Sequence, residues 1–295
     1  CWSVAAATLP GSAPAKRGPS REHVDALFFV DARVGHDDAG TPAQAEFGQL
    51  LFANGTASGS CVQCHDPEQF GQDRRTHGRN TPALADVSRQ LLFGWDGSQR
   101  SLRAMVQREL GAHLMLRTNE SARQALSDDP ALHDPFAAAF PGEQPSLERF
   151  AQAIVAHLSR SRTRGRWDRY VEGDDASLSS FELEGLSTFI EVGCATCHRG
   201  RNLGGASAHV MGLAVPYESE DLGRAEATGV AADRYVFKAP MLRHAARTGP
   251  YLHDGSVHEL AEVVRLMGRH ELGKQLSQSQ IAAIVAFLQA TAESE

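Results

Sequence analysis

Apolar residues recur at helical spacing in several separate stretches of the chain, and this pattern predicts a mainly α-helical protein. The clearest stretch begins at Ser146, a residue type that favours a helix N-cap, and places Phe150, Ile154 and Leu158 on one face. The same spacing predicts further helices near residue 21 and over 45–52, 101–110, 119–127, 177–190, 260–267 and 279–291. No apolar run reaches about 18 residues, so the sequence predicts no transmembrane helix.

A local pattern occurs twice along the chain. Gly48 and Phe52 lie in one predicted helix, Gly185 and Phe189 lie in another, and each helix leads into a cysteine motif. Such self-similarity indicates an internal repeat. The length of 295 residues suits two domains, and the charged, glycine-containing stretch 159–176 predicts the junction. The expected division is a flexible tether over 1–20, an N-terminal domain over 21–165 and a C-terminal domain over 166–295.

The two cysteine motifs indicate covalently bound haem. Two thiols three positions apart can add to the vinyl groups of a haem, and the histidine that follows can ligate its iron. With 5 cysteines and 13 histidines in the chain, composition alone predicts roughly 0.004 chance matches. A zinc site or a thioredoxin-like pair would not require the histidine in either motif. The predicted haem-attachment residues are Cys61, Cys64 and His65 in the first motif and Cys194, Cys197 and His198 in the second.

The charge and the first residues of the sequence bear on partners and location. A net charge of −7 argues against nucleic acid as a partner. Cys1, followed by a stretch rich in Ala, Gly, Ser and Pro, is typical of a mature bacterial lipoprotein tethered to a membrane. Alternatively, these residues are the remainder of a signal peptide. Both interpretations predict the periplasm, where covalent haem attachment also takes place.

Several further motifs resemble those of the bacterial di-haem cytochrome c peroxidases, a family that includes the di-haem enzyme that matures methylamine dehydrogenase. The resemblance spans about residues 45–290, and the motifs that carry it, besides the two haem motifs, are Arg79-Asn-Thr-Pro82, Trp95-Asp-Gly97, Tyr235-Val-Phe-Lys238, Pro250-Tyr-Leu-His-Asp-Gly255 and Met267-Gly-Arg-His-Glu-Leu-Gly273. The resemblance implies two cytochrome c-like domains, each wrapped around one covalently bound haem.

The resemblance also assigns roles. It implies a peroxidatic haem at His65 and an electron-transfer haem at His198, with Met267 as the second axial ligand of the latter. A thioether ligand stabilises Fe(II) and so suits a haem that accepts electrons; without the resemblance, Met267 would be interpreted as a core methionine. Trp95 would carry electrons between the haems. The implied reaction is reduction of hydrogen peroxide to water, with a small cytochrome c or a cupredoxin as donor, by a homodimer.

The resemblance also implies a metal ion between the domains and an acid–base group at the first haem. The resemblance implies a calcium ion between the domains, held by hard oxygen ligands from Asn80, Thr248 and Pro250. The family's distal glutamate follows the tryptophan by about 20 positions, but an ungapped count from Trp95 reaches Met115, which cannot transfer a proton. Glu109 is the first candidate for this acid–base role and His113 the second.

Some members of the family have a distal histidine that ligates the resting first haem, but an ungapped alignment places Gln72 there, so this ligand is expected to be absent. His77 in the same shortened loop could substitute for it, and if neither residue binds, the site is open at rest. Because the distal side of the first haem site departs from the family pattern, two other functions remain open. One is oxidation of a partner protein or small organic molecule, and the other is plain electron transfer.

Overall fold

The computed structural model describes residues 18–29, 40–56, 58–69 and 76–292. Its helices are joined by long loops and short 3₁₀ turns. The α-helices of the described residues are α1 (Arg21–Phe28), α2 (Pro42–Asn54), α3 (Leu102–His113), α4 (Asn119–Asp128), α5 (His133–Ala139), α6 (Leu147–Leu158), α7 (Arg166–Val171), α8 (Ser180–Val192), α9 (Arg224–Thr228), α10 (Leu260–His270) and α11 (Gln278–Thr291). The mainly α prediction is confirmed. No helix in these ranges is long and apolar enough to cross a membrane.

Two hydrophobic cores organise the helices. The first core is built by α2, α5 and α6 with α3, and Phe47 and Phe150 lie at its centre with no exposed surface. The second core is built by α8, α10 and α11 with α1 and α7, around Leu186 and Phe287. Burial of these apolar side chains supplies the main driving force for folding of each half.

The two halves repeat one helix crossing. A Cβ atom built on Gly48 in α2 would lie 1.9 Å from the backbone oxygen of Ala153 in α6, and one built on Gly185 in α8 would lie 2.0 Å from that of Ala283 in α11. Both glycines are therefore required because two helix backbones approach closely there. The internal repeat predicted from the glycine and phenylalanine spacing is present in the structure.

The start of the chain packs differently from the predicted division. Val24 and Phe28 of α1 have no exposed surface and belong to the second core, where Phe28 packs edge-to-face on Trp167 at a centroid distance of 5.3 Å. Helix α1 therefore joins the C-terminal half rather than the N-terminal domain expected from residue 21. The stretch 159–176 contains α7, whose Trp167 is buried, and so it is more than a polar junction.

Two short antiparallel strand pairs complete the fold. Strand β1 (Thr76–His77) pairs with β2 (Arg79–Asn80), and β3 (Ala208–Val210) pairs with β4 (Val236–Lys238). In the second pair Ala208 lies opposite Lys238. Strands β2 and β4 end at the boundary between the two halves, and they position Asn80 and Lys238 there.

Candidate haem sites

The second haem motif follows directly from the end of α8. The helix ends at Gly193 with a φ of 108°, and Cys194–Thr196 form a 3₁₀ turn that places the motif beside the second core. Nδ1 of His198 lies 3.1 Å from the backbone oxygens of both Leu203 and Pro240. Because Nδ1 is engaged in this way, Nε2 is the nitrogen available to ligate a metal, an arrangement typical of metal-binding histidines.

A large apolar cavity adjoins His198. It encloses about 1190 Å³ of empty space, its open mouth included, and Cys194, Cys197, His198 and Met267 all line it. Met267 comes from α10. Burial lowers the pKa of His198 to about 4 and raises the pKa of the Cys194 thiol to about 12. The imidazole is therefore neutral at physiological pH, as metal ligation requires.

The first haem motif has a corresponding local structure. Gly55 caps the C-terminal end of helix α2, and Cys61–Gln63 form a 3₁₀ turn like that of the second motif. The ring of Phe52 lies 6.5 Å from that of His65, and the ring of Phe189 lies 6.4 Å from that of His198. Burial, followed by the nearby charge of Glu109, raises the pKa of the Cys61 thiol to about 11. The last turns of α3 thus lie beside this motif.

The two acid–base candidates are neighbours on α3. Oε2 of Glu109 and Nε2 of His113 are 3.1 Å apart, as expected for positions i and i+4 of one helix face. Their side chains are 38% and 69% exposed, and Met115 beyond the helix end is 54% exposed with a φ of 56°. The structure therefore brings Glu109 and His113 together on an open face beside the first motif.

Trp95 lies between the two halves. Its indole Nε1 donates to the backbone oxygen of Asn80 at 2.6 Å, and its own backbone oxygen accepts from the amide of Lys238 at 2.7 Å. The ring also lines the cavity beside His198. Trp95 thus connects the cavity of the second half to strand β2, which belongs to the first half of the chain.

The predicted calcium ligands are only partly brought together. Asn80 is buried, and its side-chain nitrogen donates to the backbone oxygens of Pro250 at 2.7 Å and Leu252 at 3.2 Å. The backbone amide of Thr248 donates to Ala245. The structure therefore joins Asn80 to Pro250 across the domain boundary. Cys1 and Gln72 lie outside the described residues, and the side chain of His77 is not described.

Sequence reasoning missed two groups of residues at the domain boundary. One is a buried charge network in which Arg243 contacts Asp86 at 3.1 Å and Asp168 at 2.5 Å, while Nε2 of His244 lies 3.1 Å from Asp86. The other is Lys238, which is 7% exposed and lines the cavity. A lysine between Phe237 and Ala239 in a strand is a signal of an unusual buried charge, whereas the network joins residues too distant in sequence to be paired by inspection.

Comparison with known proteins identifies the family. Residues 42–176 match the di-haem cytochrome c peroxidase family. The chain is 33% identical over 261 residues to cytochrome c551 peroxidase of Nitrosomonas europaea, covering 83% of this chain and 78% of the relative. It is 34% identical over 270 residues to the cytochrome c551 peroxidase of Pseudomonas aeruginosa, covering 83% of this chain and 77% of the relative.

Two further matches extend the comparison. The methylamine utilization protein MauG of Methylorubrum extorquens is 30% identical over 286 residues, with 89% of this chain and 80% of the relative covered. Among solved structures, a MauG-like protein associated with microbial copper homeostasis shares the fold with a TM-score of 0.75, at 24% identity, over 90% of this chain and 93% of the other.

The chain belongs to the di-haem cytochrome c peroxidase family, and it is therefore an oxidoreductase of the peroxidase type. Membership implies two c-type haems. The residues present fit that cofactor at the second site, because an apolar cavity receives a neutral histidine with one ring nitrogen available and two unbridged cysteines. The first motif repeats the helix, turn and phenylalanine, and its cysteines are also unbridged.

Proposed function

We propose that this protein reduces hydrogen peroxide to water in the periplasm, with electrons taken singly from a small cytochrome c or a cupredoxin. The overall reaction is H₂O₂ + 2 H⁺ + 2 e⁻ → 2 H₂O. The observation that carries the proposal is the position of Trp95, which lines the cavity of the second haem site and is hydrogen-bonded to strand β2 of the first half. Electrons that enter at one site thus have a bonded route toward the other.

Each haem motif supplies a different function in this proposal. When bound, the haems would supply the redox chemistry, and His65 and His198 would each ligate one iron. Met267 lines the same cavity as His198 and is proposed as a further ligand of that iron; a thioether ligand would favour acceptance of electrons from the donor. Met267 is buried only in part, yet its thioether is the sulfur ligand that α10 presents to this cavity.

Proton delivery is assigned to residues beside the first motif. Reduction of peroxide consumes two protons, and the Glu109–His113 pair is proposed to deliver them beside the first motif. A carboxylate and an imidazole 3.1 Å apart can share a proton and pass it on. Their exposure leaves the pair accessible to bulk water, from which it can be reprotonated after each turnover.

The testing experiment is steady-state peroxide reduction by the di-haem protein, with a reduced small cytochrome c as donor and with calcium either present or chelated. We expect turnover of many per second, and we expect Trp95→Phe to reduce it by at least about 100-fold, because an indole is oxidised more readily than a phenyl ring. Trp167→Phe is the matched control: it removes a tryptophan of the second core that does not line the cavity, so turnover per folded molecule should persist.

A specific observation supports a second candidate function. Glu109, His113 and Met115 lie on an exposed face, and one relative is named as a methylamine utilization protein. Such a face could receive a side chain of a partner protein or a small organic molecule that the peroxide-treated enzyme oxidises. Negligible turnover with the donor cytochrome, combined with a haem spectrum that still responds to peroxide, would replace the first proposal by this one. If the haem spectrum did not respond to peroxide, the protein would be interpreted as an electron carrier.

A calcium ion, a second copy of the chain and a membrane are the remaining proposed partners. Asn80 and the Pro250 carbonyl are proposed as calcium ligands, since an amide turned to present its oxygen would join two backbone oxygens across the domain boundary. Thr248 is the third proposed ligand. A homodimer and a lipid tether through Cys1 complete the proposal.

A further inference from the structure

A segment that borders the second haem site is bound to the end of helix α10 at several points. This segment, residues 211–217, follows strand β3 and is called the strap below. The backbone oxygen of His270, the last residue of α10, accepts from the amides of Ala214 and Val215 at 2.9 and 3.0 Å. The last carbonyls of a helix have no partner within the helix itself, and here the strap supplies one.

Two side chains at the end of α10 extend this attachment. Nδ1 of His270 donates to the backbone oxygen of Val215 at 2.9 Å, and the ring of Tyr217 packs edge-to-face on the imidazole at a centroid distance of 5.3 Å. Oε1 of Glu271 accepts from the amide of Gly212 at 2.8 Å. Both the backbone and the side chains of the helix end therefore hold the strap.

The strap and the end of α10 both contribute to the wall of the cavity. Met211 begins the strap, Met267 lies in the last turn of α10, and both residues line the cavity together with Glu271. The backbone amide of Glu271 donates to the backbone oxygen of Met267 at 3.0 Å. The residue whose carboxylate holds the strap is therefore also bonded to the residue proposed as an iron ligand.

A fixed helix end matters more for Met267 than for an ordinary wall residue. Methionine has three rotatable bonds and adapts to irregular space, so the backbone around it has to fix where the thioether lies. Helix ends are among the first parts of a protein to open. Leu213 in the strap is 71% exposed, so hydrogen bonds to α10, rather than burial of this side chain, keep the strap on the turn that carries Met267.

We propose that His270 and Glu271 are positioning residues for Met267. By binding the strap they keep the last turn of α10 closed, and so they strengthen ligation of the second iron by the Met267 thioether. This role rests on the proposed function, in which Met267 ligates that iron, and it is independent of which substrate the enzyme reduces or oxidises. Neither side chain is required to touch the haem.

The test is displacement of Met267 by added imidazole in the ferric holoprotein. A methionine-ligated ferric haem has a near-infrared charge-transfer band, and this band disappears when imidazole replaces the thioether. His270→Ala and Glu271→Ala should each lower the imidazole concentration at half-displacement by at least about fivefold, the order expected for one lost hydrogen bond. His258→Ala is the matched control, because it removes an exposed histidine from the loop before α10.

Conservative variants separate positioning from simple destabilisation. His270→Asn can keep an N–H donor for the strap, and Glu271→Gln can keep an oxygen acceptor for the Gly212 amide, so both should stay within about twofold of the wild type. A half-displacement concentration in His270→Ala equal to that in His258→Ala would overturn the proposed positioning alone. A band that is absent from the wild type, or that survives Met267→Leu, would overturn the ligand role of Met267 and the positioning with it.

A second measurement covers the case in which the alanine variants do not yield holoprotein. Coupling between two parts of a protein is reciprocal, so removal of the thioether in Met267→Leu should loosen the strap. Hydrogen exchange of the Ala214 and Val215 amides should accelerate by about fivefold or more. The Gly229 amide, which is hydrogen-bonded at the end of α9, is the internal reference. Equal exchange of both strap amides in wild type and Met267→Leu would overturn the proposed positioning.

Discussion

The two halves of the molecule share a scaffold but surround their haem motifs differently. Each half crosses two helices at a glycine and follows with a phenylalanine and a Cys-x-x-Cys-His turn. In the second half His198 lies in the wall of a cavity that Met267 also lines. In the first half the proposed acid–base pair, Glu109 and His113, is partly exposed beside the motif. One repeated scaffold can therefore offer two haem environments when the elements after the motif differ.

The largest effect on a haem potential is expected from removing the Met267 sulfur, which belongs to the second half. Met267→Leu keeps the volume and apolar character of the side chain but cannot ligate iron. We expect the potential of the second haem to fall by on the order of 100–300 mV, part of the roughly 0.8 V range that axial ligands span. Redox titration measures it, and Met211→Leu is the control because Met211 lines the same cavity. Equal potentials in the two variants would exclude Met267 as a ligand.

Substitutions at Glu109 and His113 test the proton delivery proposed for the first half. Glu109→Gln should lower peroxide turnover by about 10²–10⁴-fold, the usual contribution of a positioned acid or base, while the geometry of His113 is kept by a hydrogen bond to the new amide. His113→Ala should have a smaller effect if Glu109 is the proton donor. The exposed Glu120→Gln on α4 is the control.

The double variant refines this assignment. If the two groups act as one unit, Glu109→Gln with His113→Ala should be no slower than Glu109→Gln alone, because coupled catalytic residues are not additive. Intact turnover in Glu109→Gln together with its loss in His113→Ala would reverse the order of the two candidates.

The shared scaffold is tested by paired glycine substitutions. Gly48→Ala and Gly185→Ala each force a Cβ atom into a backbone oxygen 1.9–2.0 Å away, so each should reduce the free energy of unfolding by about 1–3 kcal/mol. Gly111→Ala is the control, because its Cβ would meet only ordinary contacts and alanine favours a helix by about 1 kcal/mol. A large decrease in the free energy of unfolding at one helix crossing and no decrease at the other would contradict the structural repeat.

Local patterns predicted much of this architecture. The N-cap at Ser146 is present, with its side chain accepting from the Arg149 amide at 3.2 Å, and the helix spacing of the repeat leads to two matching crossings. Helix α7 was missed because it has only six residues and alternates buried aromatic with charged side chains. Its burial depends on α1 and α11, which are distant in sequence. Periodicity cannot report contacts of that kind.

The candidate site shows the same limit. The proposed attachment residues could be predicted from their spacing alone, since the chemistry of haem addition fixes that spacing. The buried charge at Lys238 and the contact of Arg243 with Asp86 depend on how the two halves meet. A single sequence does not show which residues of the two halves contact each other. The domain boundary was therefore the least predictable part of the molecule.

The smallest predicted effect concerns the buried network that joins the halves. Burial alone would raise the pKa of Asp168, but its hydrogen bond with Arg243 and the charge of that guanidinium outweigh burial and hold the pKa below its usual value. The same balance, with His244 and Arg243 as partners, lowers the pKa of Asp86. A depressed folded-state pKa contributes stability above the unfolded value near 3.9, and this stability is lost as the pH falls through the folded value.

We therefore expect Asp168→Asn to be less stable than wild type at pH 7 and the difference in unfolding free energy to narrow below pH 4, as the wild-type carboxylate becomes protonated. Denaturant unfolding of the holoprotein at pH 3, 4, 5 and 7 measures this. Asp175→Asn, which removes an exposed carboxylate next to Arg21, controls for the loss of charge alone. A difference between wild type and Asp168→Asn that stays constant from pH 7 to pH 3 would show that the Asp168 carboxylate contributes through packing rather than through its charge.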